Sequence, residues 1–478
     1  MVRVSFARRT MTLLVAASML VAFGCEERQA GQGVGATATQ QTPKKKVDKK
    51  DEGTPGVTDK TIKIGSYGPL SGPAAAWGAV LHGMNAYFQY VNSKGGINGR
   101  KIEFIYRDDQ YNPAKTPAVV RELVEKEKVF AIIGGIGTAN GRAVAEYLQK
   151  KNVPLFTPAS GDKYWTDQGG PKNLYTVYPK YVTEGEILGN YVGKELSAKK
   201  VAVLYQNDDF GKQGMEGLKK GLAKHEGAEV VAEVSCLPTD TDLSGQVSQI
   251  AEKEPDVLAV FAAPKQAVAA VKKLDEQKKK PQVVTSFVLS DPIMFKLGGE
   301  SWEGTITSAV MKLATSDDES VKLYRETLEK FGGGKLPAGT FTEAGYMFAQ
   351  PFVHAMDKAG KKLTRAALYK QLESMKGFQG GGPHWQGGGL GPAITFAKNK
   401  RQGANHIFLA KATGGKWEKL TEWMTVGEEE TVKASAEEED DKGESKTTDD
   451  KKGDAPDSKK DEAKPPAEPK KADAPPAK

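Results

Sequence analysis

The chain has 478 residues, of which 38% are hydrophobic and 27% charged; this describes a soluble protein with disordered additions and leaves room for two domains. Its 68 Lys and Arg against 61 Asp and Glu leave a formal charge of +7, and much of the lysine sits in the terminal segments, which argues against a nucleic-acid surface on the folded part. With only two cysteines, Cys25 and Cys236, a disulfide-built scaffold is excluded.

Residues 1–25 place Arg3, Arg8 and Arg9 ahead of an apolar run from Met11 to Phe23, and read as a signal peptide whose run is too short for a comfortable membrane span. Ala22-Phe23-Gly24-Cys25 is similar to a bacterial lipobox, with Ala22 where Leu is commonest, and makes Cys25 the expected lipidation site. Residues 26–57 are rich in Gly, Gln, Thr and Lys with few large apolar side chains, and read as a disordered tether.

The stretch from Ile62 to Pro113 is the most informative. Ile62 and Ile64 alternate with polar partners before Gly65, Gly68, Pro69, Gly72 and Pro73, so a short buried strand ends in a turn-rich loop. A helix, a glycine turn and a second strand, IEFIY at 102, complete a βαβ unit. Ligands of open α/β sheets lie beyond the carboxyl ends of strands, which puts Trp77 beside any cleft. GPLSG, the Trp77-Gly78 pair, NSKGGINGRKI and DDQYNP follow one another here at a spacing that resembles the branched-chain amino-acid (leucine/isoleucine/valine) binding family of ABC-transporter solute-binding proteins. That resemblance implies a type I periplasmic-binding-protein fold.

Further apolar strands are read at FAIIGGIG (130), PLFTPAS (154), VAVLYQN (201), DVLAVFAAP (256), QVVTSFVL (282) and GTITSAV (304), with amphipathic helices between them. Continuous apolar strands covered by helices predict parallel sheets buried on both faces, and the strands fall into two groups. The expectation is α/β with two doubly wound parallel-sheet lobes, and the resemblance implies that they share the chain as 58–178 with 308–383 and 179–307 with 384–426. The resemblance adds a hinge of three crossovers near Tyr178, Thr307 and Pro383. Residues 427–478, nearly all charged residues, Pro, Ala, Ser and Thr, read as a disordered tail. Cys236, in the strand-like AEVVAEVSC, reads as a buried inert thiol.

The loop Gly134-Gly135-Ile136-Gly137-Thr138-Ala139-Asn140-Gly141 lacks the third glycine of a dinucleotide motif, Asn140 standing in its place. Its backbone N–H groups and the Thr138 hydroxyl, at a helix start, suit an anion instead. The resemblance implies a hydroxyl at position 138 that holds a ligand carboxylate, completed by the segment Thr157-Pro158-Ala159-Ser160-Gly161. Gly161 replaces a family Thr, and Pro264-Lys265-Gln266 stands where amino-acid-binding members carry an acid for the ligand ammonium. Both departures weaken the case for an α-amino acid, while Lys163 and Lys265 would favour negative charge on the ligand. Tyr164, Trp165, Tyr181 and Phe210 are candidates to sandwich a ligand body, Phe261 is a further candidate from the second lobe, and Thr183 with Glu186 fits a capping box.

The ligand-binding candidates are thus Trp77, Thr138, Ala159, Ser160, Gly161, Lys163, Tyr181, Phe210 and Phe261. Asp208 and Asp209 have no third ligand at useful spacing, so no metal is expected, and no cofactor. Hydrolase and P-loop motifs are absent and the five histidines are scattered, which leaves no candidate catalytic residue. The expected protein is a monomeric, lipid-anchored binding protein on the outer side of a bacterial membrane, delivering a small solute to an ABC permease without nucleic acid. A sensor acting through a membrane partner and a nucleotide-linked α/β enzyme are the alternatives.

Overall fold

The first strand, β1 (Thr61–Gly68), buries Ile62 and Ile64 and pairs in parallel with β2 (Lys101–Asp108), Ile62 opposite Ile102. The computed structural model describes residues 53–426 apart from 168, 169 and 335. The expected signal peptide, Cys25, nearly all of the tether and the charged tail lie outside the described residues.

Parallel pairing requires a crossover, supplied first by α1 (Ala79–Ser93) between β1 and β2. The chain continues through α2 (Thr116–Arg121), β3 (Ala131–Ile133), α3 (Thr138–Lys150), β4 (Leu155–Phe156) and β5 (Leu174–Tyr175). The resulting sheet has the order β2-β1-β3-β4-β5 and is wholly parallel. A second run gives α4 (Tyr181–Lys194), β6 (Lys200–Gln206), α5 (Asp209–Leu222), β7 (Glu229–Cys236), α6 (Ser244–Glu252) and β8 (Val257–Phe261). It goes on through α7 (Pro264–Glu276), β9 (Gln282–Thr285), α8 (Ile293–Gly298) and β10 (Ile306–Ala309).

The chain then returns to the first lobe as α9 (Glu319–Phe331), α10 (Thr340–Ala359) and α11 (Arg365–Glu373), with α9 and α10 packed on α1. It ends as β11 (Phe408–Thr413) and β12 (Lys416–Lys419), an antiparallel hairpin turned by Gly414-Gly415 that extends the second sheet to β12-β11-β10-β9-β8-β6-β7. This is the type I periplasmic-binding-protein architecture. The sequence reading had no strand at β5, β11 or β12, and the end of QVVTSFVL is a 3-10 turn, Phe287–Leu289, in place of strand.

The third passage between lobes falls later than the expected position near Pro383. Trp385 packs on Tyr87, Tyr90 and Tyr346, and Phe396 packs on Phe156 and Tyr175, all in the first lobe. Gln402 still bridges to Thr176, so the chain leaves for β11 only after this point. Apolar contact with the first core, invisible in local composition, holds these twenty or so residues there.

Helices α4 and α5 meet along glycines, with Gly185 and Gly189 facing Gly214, Gly217 and Gly221. A Cβ on Gly217 would run into the Val182 carbonyl and the Glu186 amide, so the helix axes approach at backbone distance and set where Tyr181 and Phe210, at the two helix starts, come to rest. Burying side-chain volume in such a contact forces backbone shifts that cost about 1–3 kcal/mol or more. Gly217→Val is expected to lower the urea midpoint by at least that equivalent, whereas Gly245→Val, where the added Cβ meets nothing, leaves it within about 0.5 kcal/mol of the parent.

Candidate functional site

Each strand of the first sheet hands its following loop to the same edge. Trp77 follows β1, Tyr111 follows β2, Ile136 and Gly137 follow β3, and Ala159 follows β4. The second lobe meets them with Tyr181 at the start of α4, Phe210 at the start of α5, and Phe287 and Val288 after β9. Val310 and Met311 after β10, and Thr340, Phe341, Ala344 and Phe348 on one face of α10, close the remaining sides. Together they bound a small space between the lobes, which reaches about 560 Å3 only when the open solvent at its mouth is counted.

The walls are aromatic. Trp77 and Tyr111 hold their ring centroids 5.2 Å apart, Tyr181 and Phe210 4.8 Å, and Tyr181 stacks at 6.0 Å on Phe287. Tyr178 stands edge-on to both Phe287 and Phe348. Such offset and edge contacts add to the burial of the rings themselves.

The lobes touch all round this space. The Trp77 Nε1 donates to the Val288 carbonyl at 3.4 Å, the Gln206 Nε2 to the Tyr111 hydroxyl at 3.3 Å, and the Phe341 amide to Asp291 at 2.8 Å. At the rim Arg142 chelates Asp162 (2.5 and 2.9 Å) and reaches Asp209 of the other lobe at 3.3 Å. Gln213 of α5 locks this cluster, donating to Asp162 at 2.7 Å and accepting from the Lys163 amide at 2.9 Å. These bonds exist only with the lobes together, so the structure is a closed state.

Among the sequence candidates, Trp77, Ala159, Tyr181 and Phe210 line the cavity. Thr138 begins α3 directly after Gly137, whose φ of +107° excludes a side chain, and its hydroxyl is 2.8 Å from the Ser160 hydroxyl and 3.5 Å from that of Tyr181. Ser160 also accepts from the Trp165 Nε1 at 3.0 Å and serves as a strut behind the wall. The Ala159 N–H is engaged within the scaffold, donating to the Gly135 carbonyl at 2.9 Å. Gly161 accepts from the Tyr181 amide, and a side chain there would strike the Pro179 carbonyl and the Tyr181 ring, which is why no hydroxyl can stand at this position.

Lys163 lies at the rim, ion-paired to Glu216 at 2.8 Å, and Phe261 is core beneath Gly214; neither lines the cavity. Lys265 is exposed at the start of α7, away from the wall. Tyr164 covers Arg142, and Trp165 is buried behind Ser160 and Gly141. The capping-box reading of Thr183 and Glu186 is replaced by other bonds: Thr183 accepts from Asn405, and Glu186 pairs with Lys220 and Lys224. Cys236 is buried, its thiol pushed up to about 12 by desolvation, which fits an inert role.

Sequence reasoning passed over Tyr111, Tyr178, Phe287, Phe341 and Phe348. Tyr111 carried a signal, because it sits in the DDQYNP motif; with Gln110 it adopts positive φ, a strained bend that turns its ring to the cleft. The others are ordinary apolar positions of a turn and a buried helix.

Glu184 organises the second wall from behind. Fully buried in the first turn of α4, it accepts from the Phe287 amide at 2.7 Å, the Ser286 hydroxyl at 3.0 Å and the Ser308 hydroxyl at 2.5 Å. Burial outweighs these donors and pushes its pKa from the usual 4.5 up to about 7. An acid that binds its proton more tightly when folded contributes stability that is complete below pH 4.5 and is lost as pH climbs through about 7. Glu184→Gln removes that dependence, so the stability of the variant relative to the parent should rise by up to about 1.4 kcal/mol per pH unit across this window. Urea titrations at pH 4.5, 5.5, 6.5 and 7.5 measure it, and parallel curves for the two proteins would refute the assignment.

Fold and cavity together define a two-lobed protein with a closed cleft between its two sheets, the form of a binding protein. A family profile described as periplasmic binding protein matches residues 61–416, and the chain belongs to that family. It is 25% identical over 316 residues to the Leu/Ile/Val-binding protein homolog 3 of Brucella melitensis, covering 66% of this chain and 84% of that protein. A branched-chain amino-acid ABC transporter protein from Thermus thermophilus, solved with bound valine, superposes with a TM-score of 0.70 at 20% identity, over 79% of this chain and 99% of that one. A fatty acid ABC transporter substrate-binding protein from Thermomonospora curvata superposes with a TM-score of 0.69 at 25% identity, over 79% and 95%.

Proposed function

We propose that this protein is an extracytoplasmic solute-binding protein, lipid-anchored through Cys25, whose lobes close on a small organic ligand and present it to an ABC permease. The carrying observation is the aromatic cavity between the two sheets, with walls contributed by both. A ligand that touches Trp77 and Tyr111 on one side and Tyr181, Phe210 and Phe287 on the other gains contacts available only when the lobes meet, and so shifts an open–closed equilibrium toward the closed form. The permease reads that form, and no chemistry is required of the binding protein.

The relatives named above are described as binding leucine, isoleucine or valine, valine, and a fatty acid, all apolar bodies bearing a carboxylate. An amino acid, an organic or aromatic acid, or an amide is the ligand class in this reading. Gly137, which lines the cavity at the start of α3, with the Thr138 hydroxyl next to it beside Ser160 and Tyr181, marks a helix N-terminus toward which the ligand's polar end is directed in this reading. The protein acts as a monomer in this reading, since both walls come from one chain.

Thermal-shift titration of the mature chain against amino acids, carboxylates and amides is expected to give a saturable hit. Phe210→Ala should weaken that hit by about 10- to 100-fold through lost ring contact, and Thr138→Ala should weaken it also. Parental affinity in both variants would remove the site assignment, and a flat panel would remove the binding reading. Anchoring is checked separately: the full-length chain should incorporate labelled palmitate and fractionate with membranes, and Cys25→Ser should do neither; equal labelling of both would exclude Cys25.

A further inference from the structure

The cavity carries no charged side chain. Of its seventeen lining residues eight are aromatic and most of the others aliphatic or glycine, with Thr340 the one aliphatic hydroxyl, already donated to the Ser290 carbonyl at 2.9 Å. A primary ammonium taken from water into such a space gives up its hydrogen bonds, which ring faces do not replace and a carboxylate or a set of free acceptors would. The acids nearest the wall are engaged with the scaffold behind it, except Glu343, whose two carboxyl oxygens are buried without a hydrogen-bond partner and which does not line the cavity.

Asp109 accepts from Thr116 at 2.8 Å, Asn140 at 2.9 Å and the Tyr111 amide at 3.0 Å. Asp208 accepts from the Gln206 side chain and from the Phe210 and Gly211 amides at the start of α5. Glu184 is bound by Phe287, Ser286 and Ser308, Asp291 by the Phe341 and Ile293 amides, and Asp162 by Arg142 and Gln213. Glu343, next to the wall residue Ala344, is fully buried and is not among the residues that line the cavity; desolvation pushes its pKa upward. None of these groups presents a free carboxylate oxygen to the cavity.

Resting on the binding function proposed above, we propose that the ligand lacks an ammonium group: the protein takes an aromatic or branched aliphatic carboxylic acid and discriminates against the corresponding α-amino acid. The aromatic walls accept the apolar body, and the missing counter-charge rejects the zwitterion.

Matched pairs test this directly. Calorimetric titration of the mature protein with 4-methylvalerate against leucine, and 3-phenylpropionate against phenylalanine, isolates the amino group at constant body shape. The desamino member of at least one pair is expected to bind tenfold or more tighter than its partner, which should show little or no heat. Equal or tighter binding of the amino acid overturns the inference, as does tight binding of choline, whose cation the rings would then be holding, or silence from both pairs. Small-angle scattering in the same titrations separates the two readings: an amino acid or choline that binds and compacts the protein sinks the ligand class and leaves the binding function standing. No compaction with any solute in the wider thermal-shift panel sinks the function itself.

Discussion

Parallel pairing of β1 with β2 and β3, and of β6 with β7 and β8, obliges the chain to cross back over a sheet face after every strand. Every loop that leaves a strand's carboxyl end therefore emerges on one edge of its sheet. With two such sheets turned edge to edge by three passages of chain, residues as distant as Trp77, Tyr181, Phe287 and Phe348 are delivered to one volume. The glycine contact of α4 with α5 fixes the second wall at backbone precision, and the rest of the site hangs on these two constraints.

The treatment of charge is consistent through the site. Carboxylates close to the cavity are spent on backbone amides and hydroxyls that shape loops: Asp108 and Asp109 pin the loops after β1 and β2, Asp208 caps α5, and Glu184 ties the turn after β9 to β10. Burial raises the pKa of Asp109, Asp208, Glu184 and Asp291. The lining of the cavity is mainly ring surface and methyl groups, where desolvation favours binding of an apolar body. Charged groups reappear at the rim, where Arg142, Asp162 and Asp209, with the neutral amide of Gln213, join the lobes without lining the cavity.

The fold was legible because its signals are local. Ile62, Ile64 and the Val-rich run at 201–204 reveal buried strands, and the glycine-rich loops that follow mark where strands end. The hairpin β11–β12 carried a readable Gly414-Gly415 turn, while the two-residue β5 is too short to leave any periodic trace. The segment around Trp385 and Phe396 could not be assigned to a lobe from composition, since an aromatic residue packs equally well in either core and only contact decides.

The site divides in the same way. Trp77, Tyr181 and Phe210 were readable because each is an aromatic at a loop-to-helix junction, a position whose direction follows from the local element. Phe261 and Lys163 have comparable sequence surroundings yet point to core and rim, and Phe341 and Phe348 look like any buried helix. Sequence alone determined the class of protein, its two-sheet scaffold and the absence of an acid after β8, because strand periodicity, turn residues and residue identity are properties of short segments. Tertiary structure alone decided that the cavity is aromatic and uncharged and that the Ala159 amide and the carboxylates of Asp109, Asp208 and Glu184 are already engaged, because those facts depend on which partners meet across hundreds of residues.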